Sequence, residues 1–453
     1  MSSSRLTLWR DRSLRFATGS GSSISGALIG IVRNKWLATH LHTSGLGVLA
    51  QTTSAQAWLG ALAGMGLGLP VARAVGAARG QRDDEAARRT IWTAFSMVGL
   101  GSLLVAAVGL LFAGPISKAL LGSPELAPLV RIAALGATGS AFQGVLFGLF
   151  AGRSDLRAGL TLTLAGGLVA LAVTIALVPR WGLFGGAIGM ALLAPAGVAG
   201  VLIVHRRSYS RMLAPVPRPP LDLALARSIL GVGAAALVLS LVDLGTMLTV
   251  RSRYLAANGI AANGLLQAAL AVSQQVGILF YTYLSNYAFG KVSGLAGVAE
   301  IHIYTQRHWR PLISLATLTF ALAMVASTPL LRLLYSDRFD PARPLMSWTL
   351  WGEFCRIAMN VWAVGALPIG GARLWLPIAL SPAIGLALSY AILSHMNLGT
   401  LSLPLAYCGA GLFSLCFGGI AMSRAGVPLT KSNVGFVLGC ALALAALARW
   451  VAA

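Results

Sequence analysis

Residues 91–114, IWTAFSMVGLGSLLVAAVGLLFAG, stay apolar on every side over more than the roughly 20 residues that a helix needs to cross a bilayer. A barrel strand would alternate apolar and polar positions over roughly 10 residues, and no such alternation is present here. Similar runs recur along the chain, so an all-α integral membrane protein is expected.

The 453 residues are 57% hydrophobic and only 10% charged. Divided at charged or Pro-rich breaks, the apolar runs predict helices over 14–38, 46–72, 90–113, 126–152, 158–178, 184–204, 228–250, 264–289, 311–334, 345–370, 374–394 and 400–422. A further run, 434–452, is long enough for a thirteenth. The start, MSSSRLTLWRDRSLR, is polar and basic, and the segment after it ends in RNKW rather than in small residues, so no cleavable signal is expected.

Lys and Arg number 34 against 12 Asp and Glu, a net charge of +22 that in a soluble chain would point to nucleic acid. In a membrane chain the excess first reports orientation. With the N-terminus placed inside, 22 cationic residues fall on the inner side and 10 on the outer, which predicts a cytoplasmic N-terminus. Basic stretches such as RGQRDDEAARR (79–89) and HRRSYSR (205–211) read as solvated loops beside anionic headgroups. Cys355, Cys408, Cys416 and Cys440 all lie in predicted spans without metal-ligand spacing and read as packing residues.

The strongest break is APVPRPP (214–220), where four prolines prevent a continuous helix. It separates an N-terminal six-helix bundle (1–213) from a C-terminal one (223–425), with 214–222 as a cytoplasmic linker and 426–453 as an extra apolar helix. PLVRIAALG (128–136) and PLMSWTLWG (344–352) each open the fourth span of their half with the pattern P-L-x6-G. Two bundles related as a parallel repeat would place a substrate site between them.

Charges inside the spans are the functional signal, because a charged side chain at a helix centre costs about 2.5–3.5 kcal/mol on insertion scales. WGEFCRI (351–357) carries Glu353 and Arg356 at a spacing that puts both on one helix face, where they can pair. The alternative is an ion pair that only locks two helices together. Asp243, deep in ILGVGAAALVLSLVDLGTMLTVR (229–251), has no basic residue within a turn and is expected to face the bundle interior, paired or protonated. It reads either as a coupling site or as a buried hydrogen-bonded acid. Arg33 and Arg253 read as snorkelling. Lys35 and Arg251, with Gln51, Thr52, Thr53 and Gln56 on the second span and Gln267, Ser273, Gln274 and Gln275 on the eighth, outline a polar, net cationic cavity. No nucleophile motif or phosphate-binding loop appears, so the chain is not expected to be an enzyme.

LLYSDRFDPARPLMSWTLWGEFCRI (333–357) resembles the junction of the ninth and tenth helices in Wzx-type O-antigen and enterobacterial common antigen (lipid III) flippases, of the multidrug/oligosaccharidyl-lipid/polysaccharide exporter superfamily. SGLGVLAQ with LGALAGMGLG (44–68), AGPISKALLGSPELAPLVRIAAL (113–135) and VRSRYLAANGIAANGLLQA (250–268) are similar to other segments of that family, and the likeness spans roughly residues 14–422. The resemblance implies two six-helix bundles in a V-shaped exporter and matches Lys35, Arg251, Gln267, Glu353 and Arg356 to the family's polar positions. With the polar residues Gln51 and Gln274 read above, the candidate substrate-binding cavity is Lys35, Arg251, Arg356, Gln267, Gln51 and Gln274, and Glu353 with the intramembrane acid Asp243 are the candidates for coupling or gating. The implied substrate is an undecaprenyl-pyrophosphate-linked glycan moved from the cytoplasmic to the periplasmic leaflet of a bacterial inner membrane. No cofactor is implied beyond a coupling H+ or Na+, and a polysaccharide polymerase and chain-length regulator are the implied partners. Thr53 stands where some relatives carry a basic residue, and 434–452 has no counterpart in the twelve-helix pattern, which leaves the C-terminus either outside the cell or along the membrane. A drug or cation antiporter and a lipid II flippase are the alternatives within the superfamily. A membrane scaffold, which needs no polar lining, is the alternative outside it.

Overall fold

The computed structural model describes residues 3–213, 222–295 and 297–452, and among these no strand forms. The helices are α1 (Ser3–Gly64), α2 (Gly68–Gln81), α3 (Asp84–Leu111), α4 (Ala113–Leu121), α5 (Ala127–Arg153), α6 (Leu156–Val204), α7 (Arg206–Leu213), α8 (Leu223–Tyr283), α9 (Phe289–Val292), α10 (Val298–Val325), α11 (Ser327–Leu334), α12 (Arg343–Trp362), α13 (Ala366–Leu393), α14 (Ser402–Arg424) and α15 (Lys431–Ala452). Among the described residues, eight helical stretches are long and apolar enough to cross a membrane, or nine if the bent pair α1–α2 counts as one span.

That count is lower than the twelve or thirteen runs in the sequence because the connections are tighter than expected. At about 1.5 Å per residue, unbroken helices of this length would run about 70–90 Å, against roughly 30 Å of hydrocarbon; α1 has 62 residues, α6 49 and α8 61. Each instead turns at one residue with positive φ: His42 (57°) in α1, Gly182 (52°) in α6 and Gly259 (84°) in α8. The loops expected at 38–46, 178–184 and 250–264 are therefore single-residue breaks between helical arms. Glycine enters this region freely, whereas His42 is strained there.

By packing, the chain divides into two units. One takes the residues up to His40 and Gln51–Leu244, the other Leu41–Ala50 and Gly245–Ala453. Residues 214–221 of the expected linker lie outside the described residues.

In the first unit, Leu67 at the start of α2 and Val71 and Val75 within it share a core with Ile91 and Val98 of α3 and Leu146 and Leu149 of α5. The close approach of α2 and α5 requires Gly148, where a Cβ would lie 2.3 Å from the Gly68 carbonyl oxygen. Asp83 caps α3 by accepting from the Ala86 N–H at 2.9 Å, with Asp84 and Glu85 in the first turn favouring the helix dipole.

In the second unit, α12 packs between α14 and α15. A Cβ at Gly411 of α14 would fall 2.5 Å from the Gly352 carbonyl of α12, so these two backbones meet where only glycine fits. The run 434–452 becomes part of α15, which is itself long and apolar enough to cross a membrane. It docks on α10 through Arg310, which donates to Asn433 at 2.8 Å, and on α12 through the Trp351 indole, which donates to the Ala441 carbonyl at 2.7 Å.

Candidate functional site

The second unit holds two clusters of polar groups away from water. The first is built on α12, where Glu353 and Arg356 share a face as their spacing predicts. Glu353 is buried at 1% exposure, while the Arg356 side chain keeps 23%. Their nearest charged atoms, Arg356 Nη1 and Glu353 Oε2, are 3.6 Å apart, an ion pair longer than a hydrogen bond. Between them lies the hydroxyl of Tyr407 from α14, which donates to Glu353 Oε2 and accepts from Arg356 Nη1 at 2.5 Å. The guanidinium carbon also lies 5.3 Å from the centre of the Tyr407 ring, a cation–π distance. The Gly352–Gly411 approach sets α14 close enough for this. A Cβ on Gly352 would lie 2.9 Å from Tyr407 Cδ1.

On the other side of Glu353 runs the second arm of α8. A Cβ at Gly277 would meet Glu353 Oε1 at 2.8 Å, and the buried Tyr281 hydroxyl lies within electrostatic reach of the same carboxylate. Further along the same interface, the Ser273 and Thr349 hydroxyls bond at 2.8 Å. From Gln267 to Gly277 the arm rises about 15 Å, so a polar strip follows the α8–α12 seam.

The second cluster lies at the start of that strip. Arg251 is 4% exposed. Its Nε and Nη2 donate to Asn263 Oδ1 at 3.2 and 3.1 Å, and its Nη1 donates to Gln267 Oε1 at 2.9 Å. Asn263 and Gln267 are four residues apart on one helix face, and the break at Gly259 folds that face back toward Arg251. Asn263 in turn donates to the Gly47 carbonyl at 2.7 Å. The backbones touch here because Gly264 has no side chain; a Cβ would fall 1.8 Å from the Thr43 carbonyl oxygen. The amide oxygens hold the guanidinium without cancelling its charge.

Gln274 is exposed and Gln267 half-buried in the second unit. In the first unit, Lys35 is half-buried on α1 and Gln51 is fully buried. Asp243 is exposed on α8, where the sequence suggested a residue turned inward. Two participants were missed: Tyr407, which looks like any tyrosine in a span, and Asn263. A signal for the latter exists in the tandem AANG of 256–259 and 261–264, whose first glycine makes the break and whose second makes the contact.

Outside the spans, the turn from α5 to α6 carries a third cluster. Asp155 accepts from the Arg157 and Ala158 N–H groups at 3.1 Å each and from the Tyr209 hydroxyl of α7 at 2.7 Å. Partial burial alone would raise its pKa, but the Tyr209 bond, the backbone donors and nearby His205 together hold it below the usual carboxylate range.

Residues 23–176 match the MatE family model. Over 432 residues the chain is 26% identical to the lipid III flippase of Escherichia coli (strain K12), an alignment covering 92% of this chain and 98% of that protein. The chain also superposes on an inward-facing multidrug resistance MATE family transporter of the MOP superfamily with a TM-score of 0.72, at 15% identity over 88% of this chain and 95% of that one. With the lipid II flippase MurJ in an inward closed conformation the TM-score is 0.71, at 12% identity over 95% and 91% of the two chains. The chain therefore shares the all-α fold of these two transporters. It is a multi-pass membrane protein whose relatives are flippases and transporters rather than catalysts.

Proposed function

We propose that this protein is a flippase for an undecaprenyl-pyrophosphate-linked oligosaccharide, carrying a surface-polysaccharide repeat unit from the cytoplasmic to the periplasmic leaflet of the inner membrane. The observation that carries the reading is Arg251, a guanidinium almost wholly removed from water yet held by neutral amide oxygens. A guanidinium buried at such cost among amide oxygens suits an anionic headgroup that must enter the bilayer. The similarity to the lipid III flippase along 98% of its length supports the same substrate class.

In this reading Arg251, Arg356 and Lys35 attract the pyrophosphate, while Gln267, Gln51 and Gln274 contact the sugars. Glu353 restrains Arg356, and Glu353 or Asp243 couples transport to H+, Na+ or the membrane potential. The N-terminus faces the cytoplasm, residues 1–213 and 223–425 form the two bundles about the 214–222 linker, and alternating access follows from their relative movement. A polymerase and a chain-length regulator act on the delivered glycan.

The test is binding of undecaprenyl-pyrophosphate oligosaccharide to the purified protein, against a panel of cationic drugs, with wild type compared with Arg356→Ala. Glycan-lipid binding that weakens in the variant is expected. Drug binding with indifference to the glycan lipid would replace this reading with a drug antiporter.

A further inference from the structure

The chemistry of the three groups on α12 and α14 fixes the direction of their hydrogen bonds. An arginine offers only donors and a carboxylate only acceptors, so a hydroxyl between them must accept from the one and give its single proton to the other. Tyr407 is 1% exposed and touches both. The exposures of the charged partners differ sharply, 2% for the Glu353 side chain and 23% for that of Arg356. The acid is enclosed and the base is open to an incoming group.

We propose that Tyr407 is the positioning residue that keeps Arg356 releasable, an inference that rests on the anionic-headgroup reading above. Without the hydroxyl, Glu353 Oε2 loses its donor, and the guanidinium already 3.6 Å from that oxygen is placed to take over, since an unpartnered buried charge is strongly disfavoured. With the hydroxyl in place, the carboxylate keeps a donor whether or not Arg356 stays. An incoming phosphate oxygen then competes for Arg356 Nη1 with a neutral hydroxyl at 2.5 Å and with a carboxylate oxygen held off at 3.6 Å. The bond from Tyr407 to Glu353 is untouched, and no proton changes hands. The closeness of α12 and α14 at Gly352 and Gly411 holds the ring where its oxygen reaches both partners.

The experiment measures binding of undecaprenyl pyrophosphate in detergent micelles to full-length wild type, Tyr407→Phe, Glu353→Gln and the double variant at pH 8. Neutral undecaprenol serves as the control ligand. In Tyr407→Phe the carboxylate captures Arg356, so affinity for the pyrophosphate lipid is expected to fall about tenfold, the size of one charge-assisted hydrogen bond. Adding Glu353→Gln, which removes the carboxylate charge, should restore binding, and undecaprenol should bind all forms alike. A tyrosine needed only for packing would give the opposite pattern, a deficit that Glu353→Gln deepens, and that result overturns the inference. So does a Tyr407→Phe that binds as wild type. If wild type itself does not prefer the pyrophosphate lipid to undecaprenol, the flippase reading falls and this inference with it.

Discussion

Tyr209 and Tyr407 each donate a hydroxyl hydrogen bond to a carboxylate, Asp155 in the first unit and Glu353 in the second, yet the two acids live in different company. Asp155 stands outside the spans at a helix start, where the Arg157 and Ala158 N–H groups already serve it. Its tyrosine adds an anchor that holds α7 against the α5–α6 turn, and the Arg153 guanidinium 5.5 Å from the Tyr209 ring centre supports that anchor from outside. Glu353 lies mid-helix, where the backbone donors of α12 are spent within the helix itself. Its partners are side chains brought in from elsewhere, and one of them is a cation. The same bond is thus a structural clasp where backbone donors surround the acid, and a relay between charges where they do not.

The sharpest way to break this comparison is Glu353→Ala. It leaves a buried hydroxyl without its acceptor and a partly buried guanidinium without its counter-charge, and about 3 kcal/mol of stability should be lost. Thermal unfolding in detergent reads the change; a loss below about 1 kcal/mol would mean that the acid is solvated after all and that the contrast with Asp155 is superficial.

Asn263→Ala comes next, and it sharpens the cationic side of the contrast. Arg251 loses the amide oxygen that accepts from two of its nitrogens, and the Gly47 carbonyl loses its donor. About 2 kcal/mol of destabilisation is expected. Asn263→Asp, which keeps the acceptor and adds a counter-charge, should retain stability but weaken binding of the pyrophosphate lipid. Unchanged binding would show that Arg251 is a structural cation only.

The smallest effect belongs to the clasp. Tyr209→Phe should cost under about 1 kcal/mol, because Asp155 is largely solvated and its backbone donors remain. The pH dependence has a definite sign. The folded pKa of Asp155 is depressed, so its contribution is present above the ordinary carboxylate pKa and is lost as pH falls through the lower folded value. The gap between wild type and Tyr209→Phe should therefore be full at neutral pH and close on acidification. A gap that stays constant down to pH 3 would show that the hydroxyl serves packing alone.

The spacing of Glu353 and Arg356 was legible because a helix converts three residues into one face, and Arg251 and Gln267 were legible as members of one polar set on neighbouring spans. Tyr407 was not legible. Its role depends on two glycines, Gly352 and Gly411, that look like ordinary small residues in apolar runs until the backbones are seen to touch. Asn263 was hidden by the assumption that residues 250–264 form a loop, when a single residue, Gly259, turns the chain. Asp243 shows the limit of the insertion-cost argument. The cost dictates that a charge find polar surroundings, not that it be buried among helices, and the residue is exposed.

The single-residue turns at His42, Gly182 and Gly259 leave almost no chain between helical arms. Epitope tags, protease sites and reporter insertions, the usual tools for mapping which side of a membrane a connection faces, need slack that these positions do not have. An insertion there would pull apart two arms rather than lengthen a loop. Sidedness is better read by labelling a cysteine placed on an exposed residue already beside a turn, such as Trp181 at 57% exposure, where the probe comes to the protein and the backbone path is left intact.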